Sequence, residues 1–350
     1  MVMWNAHGPG GVARTVLNLA NHLSRTREVE VVSVTRRGKG PRFPLSADVR
    51  LTYLEDDSER ALADLLAARP PSVVVTSRPV LHRSACRGNR GRHVLVGQDH
   101  GNFETRMASP WVRGVLAESL AGLDAMTVLT RADAEDYRRT WPAAPARIEV
   151  VPNALPFEPV ATVPEDSPRV VVAAGRLVPE KGFDRLVTAW APVARRHPDW
   201  QLHLCGQGPS AEDLEGQVDA AGLRGRVHLL GHVDDIRTQL RDAAFLAMAS
   251  HSEGFAMVLI EAMSQGIPVV AYDCPRGPAE LVTDRVNGRL VADGDQVAYT
   301  AALTELVEDA ELRRTMGAAA LEHAQQFRLE RVGRQWTDLI DGLCERRARN

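Results

Sequence analysis

Aromatic residues make up only 5% of the chain, lysine occurs only at Lys39 and Lys181, and the four cysteines stand alone. Without aromatics interleaved among cations, the sequence offers no stacking platform for single-stranded nucleic acid. Cys86, Cys205, Cys274 and Cys344 form no C-x-x-C pair. That argues against a disulfide framework or zinc site and for free thiols in a reducing compartment. No run approaches the ~20 consecutive apolar residues that span a bilayer. The opening MVMWNAHGPGG lacks the basic start and apolar core of a signal peptide, so a cytoplasmic protein is expected.

A dominant charge is missing too. The net charge of -3 is too balanced for a nucleic-acid partner. Residues 1–160 carry 21 Lys+Arg against 17 Asp+Glu, while the remainder carries 21 against 28. The mildly basic first half suits an anionic acceptor or a lipid surface, which would place the protein peripherally at the inner membrane face. At 350 residues with 44% apolar content, two globular domains are expected.

Short β-branched runs alternate with helical patterns. Val29–Thr35, Ser72–Ser77, His93–Gly97, Ala125–Leu129, Arg169–Ala174, Gln201–Gly206, Val227–Leu230, Ala244–Ala249 and Ile267–Tyr272 read as strands buried on both faces. Val12–Ser24, Asp184–His197 and Ala211–Ala221 read as amphipathic helices. This alternation implies doubly wound α/β layers with parallel sheets. Proline-rich Leu155–Pro168 breaks the pattern. The expected domains are residues 1–155, a linker at 156–168, residues 169–324, and a helix at 325–350 returning to the first domain. A ligand cleft is expected between the carboxyl ends of the two sheets.

Four segments carry chemistry. Gly8-Pro9-Gly10-Gly11-Val12 follows a short strand at Val2–Asn5 and opens a helix, where backbone N–H groups can approach an anion. A ligand-free tight turn is the other reading. Gly175-Arg176-Leu177-Val178-Pro179-Glu180-Lys181-Gly182 follows strand Arg169–Ala174. Its two cations are spaced to straddle a diphosphate, Arg by a bidentate contact and Lys as a mobile charge. A solvated loop with two incidental cations is the alternative.

In Ser250-His251-Ser252-Glu253-Gly254, followed by an apolar run from Phe255 to Met263, a helix is expected to start beside Gly254. Glu253 would sit at its positive end, with Glu261 two turns in on the same side. The plain reading makes Glu253 a dipole partner and Glu261 an exposed face residue. Finally, Gly97-Gln98-Asp99-His100-Gly101-Asn102-Phe103 puts His100 at a strand's carboxyl end, with Asp99 a candidate to orient it. A structural histidine is the alternative.

The segments G-R-L-V-P-E-K-G-F-D-R-L, L-C-G-Q-G-P, V-H-L-L-G-H-V-D-D and S-E-G-F-A-M-V-L-I-E-A-M-S-Q-G-I-P-V-V-A together resemble family 4 of the retaining glycosyltransferases. The resemblance is very specific from Gly175 to Ala271, moderate at Gly10–Leu23 and Pro152-Asn153, and weak between Arg36 and Arg92. It implies two facing Rossmann-like domains, the GT-B fold. It also implies transfer of a hexosyl-type sugar from a nucleotide-diphosphate donor, UDP favoured, to a hydroxyl of a glycan, lipid, polyol phosphate or natural product. The E-x7-E pair of that family falls on Glu253 and Glu261.

By the same resemblance, Arg176 and Lys181 neutralise the donor diphosphate, and Gly10 and Gly11 approach the donor from the other domain. Glu253 and the backbone of Gly254, Phe255, Ala256 and Met257 hold the sugar hydroxyls. Glu261 binds the ribose, with Gly206, Gly208, Gly231, His232 and Val233 near the base. His100 lies near the transferred sugar, and neither a divalent ion nor any other cofactor is expected. The opening strand is short for that family, as though residues before it were clipped.

Several patterns are decoys. Asp293-Gly294-Asp295 spells D-x-D but follows Arg289–Ala292 in a glycine-containing loop, which reads as a turn. Asp56-Asp57 and Asp234-Asp235 read as loop carboxylates, and Arg83, Arg87, Arg90 and Arg92 as a solvated basic run or an anion-docking patch. Arg276 either positions the donor or closes a turn. The rival functions are a nucleotide-sugar epimerase of the same fold and a degenerate sugar-nucleotide-binding regulatory subunit. The second is disfavoured by the intact Arg176, Lys181, Glu253 and Glu261.

Overall fold

The computed structural model describes every residue except 9, 36–39, 55, 57–58, 165–167 and 350. Pro9, Lys39, Asp57 and part of the 156–168 stretch therefore lie outside the described residues. The chain divides into two compact units, Met1–Pro156 with Phe327–Asn350, and Phe157–Gln326.

The first unit runs β1 (Val2–Asn5), α1 (Gly11–Leu23), β2 (Val29–Thr35), β3 (Val49–Tyr53), α2 (Glu59–Ala68), β4 (Val73–Thr76) and α3 (Pro79–Gly88). It continues with β5 (Val94–Gln98), α4 (Phe103–Met107), α5 (Pro110–Leu120), β6 (Ala125–Val128), α6 (Arg131–Thr140) and β7 (Arg147–Val150). Its seven-stranded sheet has the order β3-β2-β1-β4-β5-β6-β7. All its pairings are parallel. Parallel strands need crossover helices on both faces, so central strands such as β4 and β5 are β-branched runs buried throughout most of their length.

The second unit runs β8 (Val170–Ala174), α7 (Phe183–Arg196), β9 (Gln201–Cys205), α8 (Ala211–Ala220), β10 (Val227–Gly231), α9 (Ile236–Arg241) and β11 (Phe245–Met248). Then follow α10 (Met257–Met263), β12 (Val269–Asp273), α11 (Pro278–Leu281), β13 (Gly288–Ala292), α12 (Gln296–Glu308) and α13 (Ala310–Ala324). The sheet order is β10-β9-β8-β11-β12-β13. One core joins the apolar stripe of α7 (Phe183, Leu186, Val187, Trp190, Val193) to strand residues such as Val171, Leu202 and Phe245. That stripe recurs at three- and four-residue steps, which is why the segment buries one face as a helix.

Residues 157–164 dock on the second unit. Val160 N donates to Ser264 O at 2.9 Å, and Arg237 lies over the Phe157 ring. The last helix, α14 (Leu329–Arg349), packs on the first unit, burying Val332, Trp336 and Ile340 against Leu19 and Leu23 of α1 and Val75 of β4. No described helix is long and apolar enough to cross a membrane.

Candidate functional site

In a doubly wound sheet, ligands collect beyond the carboxyl ends of the strands where the winding direction reverses. In the second unit that point lies between β8 and β11. The loop after β8 carries Arg176 and Lys181, and the loop after β11 carries Ser250 and Glu253. The switch point therefore brings together residues more than seventy positions apart. Lys181 Nζ lies 2.7 Å from Glu253 Oε2, and Ser250 Oγ donates to Glu253 Oε1 at 2.6 Å.

Three further contacts fix this pair. His251 N donates to Glu180 O at 2.8 Å, tying the loops together. Glu253 N donates to Pro275 O at 2.7 Å and Glu253 O accepts from Arg276 N at 3.1 Å. Arg276 thus joins the Glu253 loop through its backbone. Arg176 is exposed and makes no ion pair or side-chain hydrogen bond among the described residues. An unpaired cation beside a paired one, on a glycine-bounded loop, has donors left over for an anion.

Ser250, Gly182 and Arg185 stand inside the motifs read from the sequence, which assigns none of them a role of its own. Gly182 has φ 60°, and a Cβ there would collide with the Ala249 carbonyl, so only glycine lets the Lys181 turn close on β11. Arg185 on α7 donates to the Ala249 and Ser250 carbonyls and to Asp293 Oδ1, and it stacks on Tyr272 at 4.1 Å. It holds the end of β11 and accounts for Asp293. Asp295 caps α12 through Ala298 N at 2.9 Å. Among the described residues no group of three or more His, Cys, Asp or Glu could hold a metal ion.

The expected helix start is corrected. α10 begins at Met257, because Ala256 takes the left-handed conformation (φ 64°) and breaks helical continuity with Gly254 and Phe255. Glu261 then sits little more than one turn in, not two. It is buried at 4% exposure and not on an exposed face. Gly206 and Gly208 have a packing reason: the loop after β9 laces to the Arg176 loop through Gly175 N to Cys205 O (3.0 Å) and Leu177 N to Gln207 O (2.9 Å). A Cβ at either glycine would meet the Gly175 or Leu177 carbonyl. Gly206 N also donates to Gly231 O at 2.7 Å, holding the end of β10, beyond which His232 is exposed and lies 3.3 Å from Asp234. Val233 follows it and is half-buried. Buried Cys274 is pushed up to about 12, first by burial and then by the Glu253 charge, so it stays a thiol.

Gly10, Gly11 and His100 belong to the first unit. Gly10 caps α1 without a side-chain bond, and a Cβ at Gly10 or Gly11 would meet nothing within 4 Å. His100 follows β5. Asp99 does not orient it: that carboxylate accepts from Arg106 (2.8 Å), Tyr137 Oη (2.7 Å) and Gly101 N (3.0 Å). Burial pushes Asp99 up, but Arg106 and these donors outweigh it and hold the carboxyl below its usual range. Asn153 is the polar neighbour of His100. Burial lowers His100 to about 4, so the ring is neutral at pH 7.

Residues 157–323 match the family profile described as "Glycosyl transferases group 1", and residues 9–158 match "Glycosyltransferase Family 4". The chain is 28% identical to an exopolysaccharide phosphotransferase of Streptomyces coelicolor over 97% of its own length, but spans only 40% of that protein. It is 26% identical to the amylovoran biosynthesis glycosyltransferase AmsD of Erwinia amylovora, covering 95% of this chain and 96% of that one. The Anabaena protein HepE, solved with UDP, superposes with a TM-score of 0.80 at 19% identity over 97% of this chain and 99% of that one. The two profiles between them match residues 9–323, one on each unit, and the likeness to HepE shows a GT-B fold.

Proposed function

We propose that this chain is a retaining glycosyltransferase that takes a sugar from a nucleoside-diphosphate donor, UDP favoured, without a divalent ion. The observation that carries the reading is the cluster at the switch point of the second unit: unpaired Arg176 beside the Lys181–Glu253 pair. As the bond from the sugar to the diphosphate breaks, negative charge grows on the leaving phosphate. Cations already in place stabilise that charge without reorganising at the moment of reaction.

Arg176 has its fork open to two phosphate oxygens. Lys181 already sits beside Glu253, and a diphosphate would share its charge. Glu253 keeps Ser250 as a fixed donor and turns its other oxygen to a sugar hydroxyl. Departure and attack on one face of the sugar give retention, with the leaving phosphate accepting the acceptor's proton. Glu253 is a hydroxyl acceptor in this scheme, not a nucleophile. The UDP preference is carried over from HepE, solved with UDP, and the glycan-type acceptor from the exopolysaccharide phosphotransferase and the amylovoran biosynthesis glycosyltransferase.

The test begins with thermal shifts of the purified protein against UDP, GDP, ADP and TDP, since a ligand that binds only the native state raises its melting point. UDP is expected to stabilise. Arg176→Ala and Lys181→Ala should then each lower turnover of the matching UDP-sugar at least ~100-fold. Activity near wild type in both variants sinks the diphosphate assignment. UDP binding with no turnover on any acceptor favours the regulatory subunit.

A further inference from the structure

The first unit has its own switch point, between β1 and β4. β4 ends at Thr76, and two residues on Arg78 opens α3. Arg78 is exposed, stacks over the Trp4 ring of β1 at 5.6 Å, and makes no ion pair or hydrogen bond among the described residues. Its charged neighbour Arg106 is already neutralised by Asp99. The N-terminus of α3 has no side-chain cap. An uncompensated guanidinium therefore stands at the one sheet position where this fold gathers ligands.

Deeper in the same cluster, protein groups are left without partners. His82 is fully buried and meets Thr76 Oγ1 at 2.6 Å through Nδ1, while its Nε2 has no hydrogen-bond partner. Gln98 Oε1 is likewise buried and unsatisfied, and His100, with Asn153 as its polar neighbour, lies beside His82. Leaving such groups unmade costs about 1–3 kcal/mol each, so a cluster that holds them is a site for a polar molecule. Its chemistry is mixed, with carboxamide oxygens that accept and neutral imidazoles that can donate or accept. Hydroxyl groups, which both donate and accept, fit that mixture.

We propose that this cluster binds an acceptor that carries hydroxyls and a phosphate, with Arg78 receiving the phosphate and so determining acceptor specificity. The fork of Arg78 takes two phosphate oxygens, and the uncapped start of α3 offers backbone N–H groups to a third. The inference rests on the transferase reading only for the word acceptor; the binding itself stands apart from it. The phosphate can belong to a soluble polyol phosphate or to a lipid headgroup.

Isothermal titration of the full chain distinguishes these, using glycerol 3-phosphate, glycerol, and vesicles containing phosphatidylglycerol. Wild type, Arg78→Gln, Arg78→Lys and Arg176→Ala are compared, with UDP as a second ligand. Glycerol 3-phosphate or the vesicles should bind wild type and bind Arg78→Gln at least ~10-fold more weakly, with Arg78→Lys between them. Which of the two binds identifies the source. Arg176→Ala should leave this binding intact, and Arg78→Gln should leave UDP affinity and the melting temperature intact. Equal binding by wild type and Arg78→Gln, or no binding of either probe, overturns the proposal. Loss that follows Arg176 overturns it too, by assigning the phosphate to the donor site. Phosphate binding without UDP binding sinks the transferase reading and leaves this one standing.

Discussion

Glycine serves two opposite purposes in this chain. At Gly182 the protein itself demands it, through a left-handed φ and an approach to the Ala249 carbonyl that leaves no room for Cβ. At Gly11 the surroundings are open and the residue is the first of a helix, where alanine is the better helix former. Gly182→Ala should therefore lower the melting point by about 5 °C or more, from about 1–2 kcal/mol of backbone strain plus the collision. Gly11→Ala should leave it unchanged or raise it. If a donor phosphate approaches the start of α1, the same Gly11→Ala substitution costs at least ~10-fold in kcat/KM, because binding and positioning at the reacting centre are lost. Melting curves and UDP-sugar turnover decide it, and full activity in Gly11→Ala removes Gly11 from the donor site.

The buried histidines set a pH dependence at the same scale. Burial holds His82 to about 3 and His100 to about 4 in the folded chain. Unfolded, each ring titrates near ~6.5. Between ~6.5 and ~4 the unfolded chain thus binds protons that the native one does not. Stability is complete above that window and falls as pH drops through it, by about 1.4 kcal/mol per unit for each ring. Urea unfolding at pH 7 and pH 5 should show the loss, and His82→Asn should lessen it by one ring's share. An unchanged pH dependence in that variant means His82 is accessible to protons in the native state.

At the scale of elements, what the sequence made legible depended on burial. The central strands, covered on both faces, are mostly apolar runs, and the sequence shows them as strands. β3 (VRLTY) and β7 (RIEV) carry no such run, and both are edges of the first unit's sheet. An edge strand is half-solvated, so Arg50, Thr52, Arg147 and Glu149 interrupt the apolar run that marks a buried strand. The start of α10 was misplaced for a different reason. Phe255 and Ala256 are apolar and buried like the helix after them, and nothing in an alanine's identity announces a positive φ. The Arg176–Lys181 loop was visible because both cations share one short segment. The contact between Lys181 and Glu253, and the supports from Ser250 and Arg185, were not, since they arise only from the adjacency of β8 and β11. The cluster around Arg78 was hidden likewise, its members coming from β1, β4, α3 and β5.

At the scale of the molecule, the chain folds as two bodies, each with a core of its own, yet only one is continuous in sequence. The first borrows α14 from the far end of the chain, where Trp336 is 1% exposed among Leu19, Val75 and Val96. Removing that side chain opens a cavity in the first unit alone. Trp336→Ala should cost about 3–5 kcal/mol there, a fall on the order of 10 °C for a body of this size. UDP, if held by Arg176 and Lys181, stabilises the second unit instead, by about 2.7 kcal/mol at a hundredfold excess over Kd. Scanning calorimetry of wild type and Trp336→Ala, each with and without UDP, should then resolve two transitions. The substitution should lower one and the ligand should raise the other. A single transition moved by both would mean that the two bodies unfold as one cooperative unit and would overturn this assignment.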